Sequence, residues 1–340
     1  MSTPVFRSYI RRKDMDTVLN CLVTDSVGPG EYLDRFQKSA KELLGFDYGF
    51  AVRSPTIALG LALDSLALSE GDSVAVPALA PSYYGGVLAS RRLVPAYVDC
   101  LPDDVEPDLS SVGTLESHPK AMILYDAVGR LPDPEAVASL GLPLIEDMST
   151  ALGAYRGEQK AGSFGRVSIL GLESDSLVTA GGGALVLAFG RREGTVLRNL
   201  AETVEPESGM TDYNAALGLA QLRDMESAIA RRRELAGLFA QSVARTRHRL
   251  IPQGGEGECG YWALPVSIAS SVKDAMAYAK KKDLDSVLAF ERSLVGVGAV
   301  PEGACPNARS LAMRCLLFPL HQRIGAQAAQ KISKVLATLP

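Results

Sequence analysis

Over the first two-thirds of the chain, short apolar runs alternate with longer stretches whose apolar positions recur at helical spacing. The runs at 51–54, 73–77, 95–98, 121–125, 144–147, 167–172 and 184–188 predict strands. Between them, 56–68, 82–90 and 133–140 predict helices, the last tolerating Pro134 in its first turn. Uninterrupted apolar strands separated by helices indicate an α/β protein with a mainly parallel sheet covered on both faces.

The pattern changes near residue 210. Residues 212–242, rich in Ala, Leu and Arg, predict one long connecting helix. Beyond a glycine-rich turn at Gly254-Gly255, residues 261–266 predict a strand, 273–288 a Lys-rich helix and 327–339 a final helix. The run Lys280-Lys281-Lys282 reads as a solvated helix face. The expected organisation is a large domain over 1–225 and a smaller α+β domain over 226–340.

Composition narrows the class. Of 340 residues, 47% are hydrophobic and 22% charged, which is globular rather than disordered. With 35 basic and 39 acidic residues, a formal net charge of −4 offers no footprint for nucleic acid. No uncharged apolar stretch reaches about 18 residues, and the first residues lack a signal-peptide core. Five scattered cysteines without a Cys-x-x-Cys pair suggest free thiols in a reducing, cytoplasmic compartment. Three distant histidines argue against a metal centre. The basic residues are 24 Arg and 11 Lys, and no lysine occurs between Lys160 and Lys273.

In open α/β sheets, ligands bind beyond the carboxyl ends of the strands. Four segments fall at such places. Backbone N–H groups and Thr56 in Ser54-Pro55-Thr56 could hold a phosphate, and the same segment also reads as an ordinary helix cap. Tyr83 and Tyr84, after the next strand, could stack on a planar ring or serve as core aromatics. Glu146-Asp147 puts two carboxylates at a strand end, where Asp147 could pair with a protonated ring nitrogen or cap a turn. Gly162 to Gly165 and Gly181-Gly182-Gly183 permit positive φ or close backbone approach.

Taken in order, these segments resemble the DegT/DnrJ/EryC1/StrS family of nucleotide-sugar aminotransferases. Gly28-Pro29-Gly30-Glu31 through Phe36 is similar to the family's N-terminal Gly-Pro…Phe segment. Ser54-Pro55-Thr56-Ile57-Ala58-Leu59 stands where the family has Ser/Asn-Gly-Thr-x-Ala-Leu, and Gly71-Asp72-Ser73-Val74-Ala75-Val76-Pro77-Ala78 matches Gly-Asp-Glu-Val-Ile-Val-Pro-Ala. Ile145-Glu146-Asp147, Gly153-Ala154 and Gly162-Ser163-Phe164-Gly165 follow in register. Met210-Thr211-Asp212, Ala215 through Leu222, Arg231-Arg232-Arg233 and Phe318-Pro319-Leu320-His321 complete the likeness, which spans nearly the whole chain. It implies the fold-type-I architecture of pyridoxal phosphate (PLP) transferases: a mainly parallel mixed sheet sandwiched by helices, with a smaller C-terminal α+β domain.

The resemblance also implies where cofactor residues fall. Asp147 takes the pyridinium position and Thr56 the phosphate position. In the family a lysine before a glycine-rich turn forms the Schiff base with PLP and moves the proton of transamination. Here that place is Ser176, or Asp175 if a one-residue gap is set differently, and neither is an amine. The family's sugar dehydratases use His there, and none lies nearby. The turn glycine is Pro55, which lacks an N–H, and the strand serine is Gly171. The stacking aromatic is Pro81 unless Tyr83 or Tyr84 substitutes, and the ring-oxygen contact is Thr150. The partner-subunit Asn is Glu207, whose carboxylate would repel phosphate.

Two functions follow. The first is a degenerate homologue without lysine-dependent transamination, acting as a ligand-binding, regulatory or partner subunit. The second is an active aminotransferase or dehydratase acting on a keto nucleotide sugar, in cell-surface polysaccharide or deoxyamino-sugar biosynthesis. It would hold PLP or its amine form (PMP) noncovalently and use Glu173, Asp175 or Tyr83 as base. A third option leaves Asp147, Glu146 and Glu173 as an acidic cleft with unrelated chemistry. A homodimer, or a heterodimer with an active paralogue, is expected from the family's twofold arrangement.

Overall fold

The computed structural model describes residues 2–23, 27–251, 254–255 and 257–340. Two helices, α1 (Arg12–Val23) and α2 (Glu31–Leu44), lead into β1 (Tyr48–Val52). Then follow α3 (Pro55–Asp64), β2 (Ser73–Pro77), α4 (Tyr83–Ser90), β3 (Val94–Val98), β4 (Ala121–Tyr125), α5 (Pro134–Ser139) and β5 (Leu144–Asp147). A hairpin of β6 (Tyr155–Arg156) and β7 (Gln159–Lys160) precedes β8 (Val167–Gly171), β9 (Ala184–Ala188), α6 (Arg191–Glu202), α7 (Asp212–Leu222) and α8 (Met225–Val243). The remainder comprises β10 (Arg249–Leu250), β11 (Gly254–Gly255), β12 (Gly257–Glu258), β13 (Leu264–Ser267), α9 (Val272–Lys281), β14 (Val287–Leu288), α10 (Pro306–Arg314), β15 (Cys315–Phe318) and α11 (Ala326–Leu336).

Seven strands form the main sheet in the order β1-β9-β8-β5-β4-β2-β3. The pairs from β8 through β3 are parallel, while β9 runs antiparallel to both neighbours. Strands β2, β4 and β9 are buried along their whole length, which is why they read as unbroken apolar runs. Alternation sends Val74, Ile123, Ile145 and Ile169 to one face, packed with Ala58, Leu59 and Leu63 of α3. Met122, Leu124 and Leu144 go to the other face, with Leu109 and Val137. Beneath β8 and β9 on that side, Leu170, Leu185 and Leu187 pack with Phe36 of α2 and Leu219 of α7.

A second sheet, β10-β13-β15-β14, is antiparallel throughout. Its Val266, Leu316 and Phe318 bury against Phe239 of α8, Ala279 of α9 and Ile332 of α11. The sequence expectation of an α/β fold with a smaller C-terminal α+β part is what the structure has.

The helix predicted over 56–68 ends at Asp64, and further elements differ from the sequence pattern. The stretch 212–242 is two helices, α7 and α8, broken at Arg223-Asp224. The Asp224 carbonyl opens α8 by accepting from Ala228 N (3.0 Å), and its carboxylate is paired with Arg11 and Lys13 of the N-terminal segment. The helix predicted over 273–288 stops at Lys281, because Asp283 turns the chain through φ 56° to meet the N-terminus. There Thr3 N donates to Asp283 O (2.9 Å) and Asp285 N to Thr3 O (3.0 Å), and the following residues become β14. The strand predicted over 261–266 begins only at Leu264, since Tyr261 has φ 49°. The turn expected at Gly254-Gly255 is instead the short strand β11, with Gly254 opposite Glu258 and Gly255 opposite Gly257 of β12.

Candidate functional site

The carboxyl ends of β4, β5 and β8 and the start of α3 surround a cavity of about 500 Å³. Tyr125, Asp147 and Gly171 line it from the main sheet, and Pro55 from the start of α3. Phe6, Trp262 and residues 287–293 close it from the other side. Phe6 packs against Trp262, their rings tilted by 35° with centroids 4.7 Å apart, so the N-terminal segment and the approach to β13 share one wall.

Asp147 ends β5 and is 1% exposed. A carboxylate offers about four lone-pair sites, and here the chain supplies four donors. Oδ2 accepts from Tyr84 Oη at 2.5 Å and Tyr83 Oη at 3.3 Å. Oδ1 accepts from Ser149 N at 3.0 Å and from the Ser149 hydroxyl. Burial raises the acid's pKa, opposed by the Ser149 and Tyr84 donors. Burial, then the charge of Asp147, raises the pKa of both tyrosines, so the hydroxyls remain donors.

Glu146 does not join this cavity. Strand alternation turns it to the opposite face, where it accepts from Gly162 N (2.5 Å), Phe164 N (2.7 Å) and Gly165 N (3.2 Å). An acidic cleft that counts Glu146 is therefore not what the fold builds. The Gly162–Gly165 turn is instead an internal receptor for this carboxylate.

The loop after β8 carries Glu173, Asp175 and Ser176 to the cavity wall. Ser176 Oγ donates back to Gly171 O at 3.0 Å, and Trp262 Nε1 donates to Asp175 O at 3.0 Å. Burial raises the pKa of Glu173 and of Asp175; the charge of Asp175 adds to the first and Arg292 opposes the second. Among the described lining residues Arg292 is the one cation, and none is a lysine.

The remaining candidates divide. Pro55, Pro81, Tyr83, Thr150 and Gly171 line the cavity, and Thr150 Oγ1 is committed to Asp126 O at 2.7 Å. Thr56 is exposed and does not line it. Ser54 caps α3 by accepting from Ile57 N at 3.3 Å. Tyr84 is fully buried behind Tyr83, its ring edge-on at 5.0 Å. Glu207 lies on an exposed turn away from this cavity.

The turn-capping role that the sequence allowed for Asp147 is what the structure has: its Oδ1 accepts from the N–H two residues on, that of Ser149, a residue the sequence reading did not name. Ser149 Oγ also accepts from Gly171 N at 2.7 Å, tying β5 to β8 beside Pro55. Phe6, Trp262 and Phe290 had no signal in the sequence, because nothing local marks a residue for a distant wall.

A doubly covered, mainly parallel sheet with its cavity at the strand ends and a smaller C-terminal sheet against it is the architecture of PLP transferases. A Streptococcus pneumoniae protein solved in a PLP form superposes with a TM-score of 0.91, covering 100% of this chain and 98% of its own, at 18% identity. The GDP-perosamine synthases of Vibrio cholerae (23% identical, 83% of each chain) and Escherichia coli O157:H7 (28%, 71% of each chain) are similar in sequence. The chain belongs to the DegT/DnrJ/EryC1/StrS aminotransferase family, whose sequence profile matches residues 8–337. Among the described residues, no helix is long and apolar enough to cross a membrane.

Proposed function

We propose that this chain performs no transamination through a lysine of its own, and that its cavity serves a ligand-binding, regulatory or partner subunit. The observation that carries the reading is the wall after β8. Ser176 stands where the family's motif has its amine, its hydroxyl is tied to Gly171 O, and none of the described lining residues is a lysine. An imine needs a primary amine, and neither Ser176 nor Asp175 has one.

The residues also do not fit PLP held in the family's manner. Pro55 offers no N–H to a phosphate at the start of α3, and Ser54 Oγ is occupied as the helix cap. Three other carboxylates (Glu173, Asp175, Glu291) line the cavity with Asp147, against the single guanidinium of Arg292. That balance disfavours a dianionic group. What the cavity can present is acceptors from Glu173 and Asp175, and aromatic walls from Tyr83, Tyr125 and Trp262.

A second reading is favoured by the relatives, which are sugar-modifying enzymes by name. On it, the chain is an active aminotransferase or dehydratase for a keto nucleotide sugar, with noncovalent PMP and Glu173, Asp175 or Tyr83 as base. Either reading is compatible with a homodimer or a heterodimer with an active paralogue.

Absorbance spectra with PLP, before and after borohydride, test the first reading, with the modified peptide mapped. The expected result is no stoichiometric reduced adduct on a lysine at the cavity. A stoichiometric adduct there, together with amino transfer to a keto nucleotide sugar, would replace the first reading with the second.

A further inference from the structure

The absent amine is not the only obstacle to a pyridine cofactor, and the second one is independent of it. A ring nitrogen can be held by Asp147 only if the carboxylate has an open lone pair facing the cavity. We propose that Tyr83, Tyr84 and Ser149 form an internal cage that closes Asp147 to a pyridine ring nitrogen, so that the cavity excludes this class of cofactor whether or not it carries an amine-reactive group. The inference rests on the reading above only in taking Asp147 as the family's ring-nitrogen position.

The count of donors carries it. Tyr84 and Tyr83 hydroxyls fill Oδ2, and the Ser149 amide and hydroxyl fill Oδ1. A pyridinium N–H would therefore displace a donor already in place rather than satisfy a bare charge. Tyr84 cannot yield by rotating, since it is 0% exposed and wedged between Tyr83 and Tyr125, with centroids 5.0 and 6.4 Å away. Ser149 cannot yield without also releasing Gly171 N, which it holds at 2.7 Å. Only Tyr83, on the cavity wall, has room to move. With 1% of its surface accessible, Asp147 presents almost nothing to a ligand.

Binding of PMP and of phosphate-free pyridoxamine to the full chain tests this, read by calorimetry and by fluorescence of Trp262, the sole tryptophan, on the cavity wall. PMP cannot condense with a lysine, so the result is separate from the borohydride experiment. The expected wild-type Kd for both probes is above about 1 mM. Tyr83→Phe and Tyr84→Phe each remove one donor from Oδ2 and should tighten both probes by about tenfold. If Tyr84→Phe does not fold, Tyr83→Phe decides.

Wild-type protein that binds PMP at micromolar Kd and loses about tenfold on Asp147→Asn has its ring nitrogen on Asp147, and the inference fails. Micromolar binding that Asp147→Asn leaves unchanged overturns the exclusion where Trp262 fluorescence responds, and where it does not the probe sits outside the cavity, as the cage requires. Folded tyrosine variants that bind no better than wild type overturn the inference, because the tyrosines would not be what closes the carboxylate. A borohydride-trapped adduct on a lysine at the cavity would place a pyridine cofactor there and overturn both readings, whereas Asp147-dependent binding of PMP without any such adduct overturns this one alone.

Discussion

Asp126 and Glu146 make the sharpest test of the electrostatics behind the cavity. Asp126 follows β4, is 0% exposed, and neither of its carboxyl oxygens accepts a hydrogen bond. Its side chain faces Glu146, which already accepts three backbone N–H groups. Donors of that kind favour the ionised form, so the charge belongs on Glu146 and a shared proton on Asp126. Burial, then the charges of Glu146 and Asp147, pushes the Asp126 pKa well up. Below its raised native pKa the folded chain thus holds a proton that the unfolded chain, titrating near about 4, has lost. With one proton fewer in the unfolded state, stability falls as pH rises, by about 1.4 kcal/mol per unit. That loss accumulates from about pH 4 upward and ends where pH passes the raised native pKa of Asp126. Asp126→Asn keeps a donor toward Glu146 and cannot titrate. Urea unfolding followed by Trp262 fluorescence at several pH values above about 5 should give a wild-type line that falls relative to the variant line, because the other titrating groups contribute to both. Two parallel lines would refute the shared proton.

Four further outcomes follow from the same structure. Ser176→Lys alone should not produce a borohydride-reducible PLP adduct with transaminase activity, because Pro55 and the caged Asp147 remain; robust activity from that single change would show otherwise. Arg232 is 4% exposed, with its pKa pulled down to about 10 by burial, and donates to Tyr261 O (3.1 Å) and Trp262 O (2.7 Å). Arg232→Leu leaves both carbonyls unpaired and should cost about 2–4 kcal/mol in urea unfolding, with a red shift of Trp262 emission. A Cβ on Gly296 would lie 2.1 Å from Phe290 O and 2.7 Å from Glu291 O, so Gly296→Ala should cost about 3 kcal/mol and disturb the wall at 290–293. Burial pulls His321 down to about 4, so the native state keeps it neutral while the unfolded chain protonates near about 6.5. Stability should therefore fall as pH drops from 6.5 toward 4, and His321→Gln should flatten that limb in thermal melts.

Strands β2, β4 and β9 were legible to the residue, since a strand covered on both faces is apolar along nearly its whole length. Helix ends were legible only where the signal is local, as with Asp133, whose side chain caps α5 through Glu135 N. The break between α7 and α8 and the early end of α9 were not. Each depends on a partner more than 200 residues away in the chain: Asp224 on Arg11 and Lys13, and Asp283 on Thr3. Periodicity continues through such corners without marking them.

The site divides in the same way. Placement of Pro55, Asp147, Gly171 and Ser176 at strand ends follows from order along the chain, because βα connections put their loops on one edge of the sheet. The missing lysine is likewise a fact of sequence, the stretch from Lys160 to Lys273 holding none. Whether Asp147 is open is a different kind of fact. Its donors come from Ser149 next to it and from tyrosines 63 and 64 residues away, brought together by the pairing of β2, β4 and β5. Which carboxylate faces the cavity was decided by the pleat, and how many of its lone pairs remained was decided by packing. Linear order sets which residues reach a site, whereas hydrogen-bond capacity is spent only when the chain closes in three dimensions.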